Sequence, residues 1–235
     1  MNKYTLIFAI SFVGIQASAQ LKTDTLTARK IAFKADSLFE AGNYELSLEN
    51  YKSAISIYGK YSLWTAYFNN QNKIADTYIS QGKYDEAQVF IEQQKTALVP
   101  YPKLASYFNP LFSSGLGQIL LYKGRTDLAL EKFQSALDAA PANAAYLPEI
   151  YNKLGVCHWV NGNTDLALEY QLKALNMRRQ TFGENHIKTA AIYNNIGLTH
   201  SNTEPDMALE YYQKALKIYQ SIYNCLLYTS PSPRD

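Results

Sequence analysis

The sequence predicts an all-α fold, a solenoid built from tandem helix–turn–helix hairpins. Two observations carry that prediction. The first is a recurring block: AGNYELSLENYKSAISIY from Ala41, QGKYDEAQVFIEQQ from Gln81, KGRTDLALEKFQSALDAAP from Lys123, NGNTDLALEYQLKALNM from Asn161 and NTEPDMALEYYQKALKI from Asn202. Its small residue falls at Ser47, Ala87, Ala129, Ala167 and Ala208, at spacings of 40, 42, 38 and 41 residues. A repeat of that length marks units that bury their apolar faces only against their neighbours. The second is helical spacing inside each unit. Tyr151, Leu154, Gly155 and His158 share one face, and Leu166, Ala167, Tyr170, Ala174 and Met177 form a second stripe after the Asn161-Gly162 turn.

The elements follow in chain order. MNKYTLIFAISFVGIQASAQ has a positive start at Lys3, an apolar run from Tyr4 to Ile15, and an A-x-A site at Ala17-Ser18-Ala19. That reads as a signal peptide over 1–19, cleaved after Ala19, and implies export to a periplasm or cell exterior. The apolar run is short for a membrane span, and no later stretch reaches the required length. Residues 20–26 lead into five repeats at 27–60, 62–98, 103–141, 145–182 and 186–223. Cys157 and Cys225 are the two cysteines, so the repeats must be held by apolar packing rather than a disulfide framework. Gly155 and Gly197 sit in mid-helix, where glycine costs about 1 kcal/mol against alanine. Close approach of paired helices, with Ala167 and Ala208 opposite, is the packing reason that offsets the cost.

Charge and composition narrow the partners. Lys+Arg number 22 and Asp+Glu 20, a formal charge of +2. That balance gives no basis for a nucleic-acid or anionic-membrane partner, which needs a concentrated basic patch. Twenty tyrosines are present. Tyr51, Tyr78, Tyr151, Tyr170, Tyr193, Tyr211 and Tyr212 fall where a large ring fills the space between helices while its hydroxyl still reaches water.

The repeat resembles the tetratricopeptide repeat (TPR) over roughly residues 27–223. The late positions of that pattern are Ser47/Tyr51/Ala54, Ala87/Ile91/Gln94, Ala129/Phe133/Ala136, Ala167/Gln171/Ala174 and Ala208/Tyr212/Ala215. Pro141 is the one terminal proline, Gln94 and Gln171 depart from the pattern, and the fifth turn has lost a residue. The FGENHIKTAAIYNNIG segment is similar to the longer repeats of kinesin light chains and their bacterial relatives. The opening KADSLFEAGNYELSLENYKSAISIY resembles exported repeat proteins of Bacteroidetes-type bacteria, many of which carry a caspase-like CHAT domain. The resemblance implies a right-handed α-solenoid of TPR hairpins.

The end of the chain, CLLYTSPSPRD, has no tie to the repeat and reads as a translated sequencing adapter, so 224–235 is expected to be non-native. The natural protein is then expected to continue, and the stripe of Ala208, Tyr212, Ala215 and Tyr219 to have one bare flank.

No catalytic, cofactor or metal site is readable. Cys157 and His158 are adjacent on a helix and cannot face each other. His158 and His200 are equivalent packing positions, and His186 is expected to cap or pack locally. No Cys/His spacing suits zinc, and no phosphate-binding or nucleophile motif occurs. Asp127, Glu131, Asp165 and Glu169 read as solvated charge. What remains is a surface for a protein or peptide partner. By position, the resemblance places Asn72, Asn152 and Asn194 on the inner wall of a groove. Asp76, Lys153 and Asn195 lie beside them, and Tyr122 and Trp159 near its edge. The expected function is an exported interaction scaffold. The alternatives are the recognition arm of a CHAT-type cysteine peptidase, or the outer part of a sensor.

Overall fold

In the computed structural model, backbone is described for residues 3–229 and side chains for residues 20–222. The signal-peptide reading of 1–19 and the adapter reading of 224–235 concern side chains outside the described residues. All regular structure among the described residues is helical: α1 Lys3–Glu40, α2 Tyr44–Lys60, α3 Trp64–Ser80, α4 Tyr84–Ala97, α5 Pro102–Tyr122, α6 Thr126–Ala139, α7 Leu147–Val160, α8 Thr164–Phe182, α9 Ile187–His200 and α10 Pro205–Thr229. They form an α-solenoid of helical hairpins in two compact units, divided between Phe108 and Asn109.

In the first unit, α1 packs on α2, α2 on α3 and α3 on α4, in chain order. Residues 20–26 are helical as well, and Asp24 in that segment accepts hydrogen bonds from Lys60 and Tyr61 at the end of α2. The first hairpin closes on Ala28, Ala35, Tyr51 and Ala54, all essentially without solvent. The Ser47 hydroxyl donates to the Ala35 carbonyl at 2.9 Å, which explains a serine at a buried small position. Tyr51 donates to Asp36 at 2.6 Å, and Asp36 also lies 3.2 Å from the Lys73 ammonium on α3. A cluster of rings closes the end of α3: Trp64 meets Tyr101 at 5.3 Å and Phe68 meets Phe108 at 5.7 Å between centroids.

In the second unit, α6 packs on α7, α7 on α8, α8 on α9 and α9 on α10. The buried stripe of α8 is Ala167, Gln171, Ala174, Leu175 and Arg178. The sequence reading put Leu166 on the apolar stripe, but it is 44% exposed. The cause is the close approach of the two helices. A Cβ added at Gly155 would lie 2.6 Å from Gln171 Cγ and 3.0 Å from the Ala167 carbonyl oxygen. With Ala167 and Gln171 turned toward Gly155, Leu166 is rotated outward. Gly197 faces the Tyr212 ring and the Ala208 carbonyl in the same way, and Gly117 faces Phe133.

Four hairpin turns close on a left-handed glycine, at Gly42, Gly82, Gly124 and Gly162. At Gly162, the Gly162 N–H donates to Trp159 and the Asn163 N–H to His158, which satisfies the last carbonyls of α7. The fifth turn dispenses with glycine: Thr203 and Glu204 N–H both donate to the His200 carbonyl. The connector from α2 to α3 uses the same two-bond closure, but its left-handed residue is Ser62, at φ 55°. A side chain there costs about 1 kcal/mol. Ser62→Gly is therefore expected to raise stability by roughly 0.5–1 kcal/mol in urea unfolding. An unchanged or lower midpoint would contradict this description of the connector.

Candidate functional site

The third, fourth and fifth hairpins present their first helices, α5, α7 and α9, side by side, and a line of polar side chains crosses them. The Lys153 ammonium on α7 donates to Gln118 Oε1 on α5 at 2.5 Å and lies 3.4 Å from Glu149. Gln118 in turn donates to the Tyr122 hydroxyl at 3.3 Å. On the other side, Asn195 of α9 donates its amide to Asn152 Oδ1 of α7 at 3.0 Å. Arg178, buried on α8, reaches Glu149 at 3.4 Å with its guanidinium over the Phe182 ring. Glu149 is thus shared between two cations.

Four of the residues named from sequence, Tyr122, Asn152, Lys153 and Asn195, belong to this polar line. Asn194 stands exposed on α9, next to it and outside its hydrogen bonds. Trp159 is half-buried near the end of α7. Asn72 and Asp76 lie in the first unit, where Asn72 donates to Asp76 at 3.0 Å along α3. Gln118 and Glu149 were missed by the sequence reading. Their spacing to Lys153 differs, four residues for Glu149 but 35 for Gln118, and the second distance carries no local signal. Gln171 departs from the repeat pattern because its buried amide oxygen accepts from the Thr199 hydroxyl of the next hairpin at 3.0 Å.

On the second-helix side, a shallow depression of about 880 Å³ is lined by Leu130, Glu131, Asp138, His158, Leu166 and Tyr170. Its walls are repeated packing. Tyr170 stacks on His158 at 5.4 Å with planes 3° apart, and Tyr211 stacks on His200 at 5.7 Å and 2°. Lys173 and Lys214 sit over the same two tyrosines and pair with Glu169 and Glu210. Asp127, read from sequence as solvated charge, accepts from Asn161 at the neighbouring turn at 3.1 Å.

Cys157 is fully buried, and burial pushes its thiol up to about 11, with Lys153 pulling weakly the other way. His158 faces Tyr170 instead, so the adjacent pair serves two different surroundings. Among the described residues, no group of three His, Cys, Asp or Glu side chains is placed to hold a metal ion. No helix of the described residues is long and apolar enough to cross a membrane. His186 caps α9: its Nδ1 accepts from the Lys188 N–H at 3.1 Å while the ring stacks on Phe182 at 4.4 Å.

Burial lowers the pKa of His158, and burial together with Lys188 and Arg178 lowers that of His186. Both rings therefore protonate more readily in the unfolded chain, where imidazole titrates near ~6.5. Their contribution to stability is complete above that pH and is lost as pH falls through it toward the folded values. Asparagine keeps a cap acceptor that does not titrate. His186→Asn should lose less melting temperature than the wild type between about pH 7.5 and about pH 5. An equal loss in circular-dichroism melts would contradict the assigned cap.

Three models of the tetratricopeptide repeat match the chain, at residues 69–96, 103–144 and 146–221. No curated protein matches it in sequence. Among solved structures, BtubC (BKLC) from P. vanneervenii is similar at TM-score 0.54 and 21% identity, over 86% of this chain and 74% of that one. The Rap conjugation gene regulator of plasmid pLS20, solved with the Phr* peptide, is similar at TM-score 0.67 and 20% identity, over 93% of this chain and 62% of that one. Nearly identical TPR-like repeats of kinesin-light-chain type from Podosopora anserina are similar at TM-score 0.50 and 16% identity, over 84% of this chain and 97% of that one. At these identities the structural likeness speaks for the fold. The family matches together cover more than half of the sequence, and with the hairpin geometry they lead to one conclusion: the chain belongs to the tetratricopeptide-repeat family.

Proposed function

We propose that the chain is an exported interaction scaffold that holds an extended peptide segment of a protein partner against α5, α7 and α9. The observation that carries this reading is the amide group at the middle of that surface. Asn152 and Asn195 spend one donor and one acceptor on each other. An asparagine amide has two donors and an acceptor oxygen with two lone pairs. The Asn152 NH₂ and the Asn195 oxygen therefore keep capacity for a ligand, and exposed Asn194 adds another amide. Such groups pair with peptide backbone whatever its side chains. Lys153 and Arg178 outnumber Glu149 beside them, which favours a segment bearing a carboxylate.

Family membership supports a binding role, and peptide occupancy in the Rap regulator is a precedent on the same fold. Export rests on Lys3, the apolar run from Tyr4 and Ala17-Ser18-Ala19. The buried, weakly acidic Cys157 thiol is consistent with a part that binds rather than reacts.

The test is selection of peptides from a random display library, followed by titration of the best binders against wild type and Asn152→Ala/Asn195→Ala. Loss of two amide partners is expected to weaken binding by roughly tenfold or more, at about 1 kcal/mol per hydrogen bond. Selected peptides that bind the double variant equally well, or that protect the second helices from hydrogen exchange, would remove the proposal.

A further inference from the structure

The whole-chain charge of +2 conceals a local concentration of cations on the first helix. α1 buries Ala28 and Ala35 against α2 and turns two of its three acids, Asp24 and Asp36, toward partners on α2 and α3. The opposite face carries Lys22, Leu26, Arg29, Lys30, Phe33 and Lys34. All six are exposed, Leu26 to 54% and Phe33 to 73%. Phe33 is thus nearly bare, although burial of such a ring is among the strongest stabilising contributions a helix can make.

Position on the helix decides what this face suits. At 100° per residue, Leu26 and Phe33, seven apart, form a central ridge. Lys22 and Arg29 flank it on one side, and Lys30 and Lys34 on the other. The face extends about 18 Å along the helix, and its one acid, Glu40, lies about 9 Å beyond Lys34. None of the four cations has an acidic partner among the described residues. A convex helical ridge fits a flat, deformable surface. Apolar side chains can dip into such a surface while long basic ones reach anionic groups above it. A nucleic-acid backbone would leave the apolar ridge facing phosphates.

We infer that the exposed face of α1 is a peripheral membrane-binding surface that docks on an anionic lipid bilayer. The folded helix gathers on one face cations that the whole-chain sum cancels. The apolar ridge and the cations give the two cooperating signals that stable peripheral attachment requires.

The experiment is flotation of the full chain with vesicles of phosphatidylcholine alone, or of equal parts phosphatidylcholine and phosphatidylglycerol. The apolar run from Tyr4 to Ile15 is common to every arm, so the readout is the difference between vesicle types. Wild type is expected to prefer the anionic vesicles by about a hundredfold or more, and to lose that preference in high salt. Lys30→Ala/Lys34→Ala should weaken anionic binding by about 25-fold, at about fivefold per cation. Phe33→Ala should weaken it by roughly tenfold. The substituted side chains are exposed, so the melting temperature of each variant should match the wild type. Equal partitioning into both vesicle types, or wild-type binding by the double lysine variant, would overturn the proposal. Binding to soluble polyglutamate in place of anionic vesicles would assign the face to an acidic protein and overturn the lipid assignment.

Discussion

The two helices of a hairpin meet where a residue with little or no side chain lies against the carbonyl of a small residue on its partner, and the rest of the structure depends on that approach. Gly155 against Ala167 and Gly197 against Ala208 are the tightest cases, with Cβ clearances of 3.0 and 3.1 Å to the facing carbonyls. In the first hairpin, Ala35 holds the same place and its carbonyl accepts the Ser47 hydroxyl. A glycine in mid-helix weakens that helix by about 1 kcal/mol. The chain carries that cost because contact at this distance lets Tyr170 and Tyr211 lie flat on the histidines and fixes which residues face inward.

Rotation set at the contact then propagates to the surface. Leu154 and Cys157 are buried on the same helix that exposes part of Asn152 and Lys153. Lys153 can therefore reach Gln118 on the preceding first helix, and Asn152 can meet Asn195 on the following one. The polar strip is thus a by-product of stacking: each first helix lends its outer residues to a line that no single hairpin could form. The same logic leaves α1 with one face unused by stacking, where the sequence has placed cations around Leu26 and Phe33.

Much of this was legible in the sequence, because the signal is local and repeated. The period, the small residues at Ala129, Ala167 and Ala208, and the packing roles of His158 and His186 all follow from spacing within one hairpin. Other features depend on residues from different hairpins and have no local signature. Gln118 becomes a partner of Lys153 only once α5 lies beside α7, and Gln171 looks like a defect until Thr199 arrives from the next hairpin. Leu166 was placed on the apolar stripe because periodicity alone does not fix the phase of a helix to within one residue. The tight contact of Gly155 with Gln171 fixes it.

The most direct measurement is amide hydrogen exchange on Gly155→Ala compared with the wild type. If close approach organises the hairpins, the added methyl should destabilise by about 1–3 kcal/mol. Protection should then fall along all of α7 and α8 and into α9. Unchanged protection, or a loss confined to the turn of helix around residue 155, would show that the contact is incidental and would contradict the account.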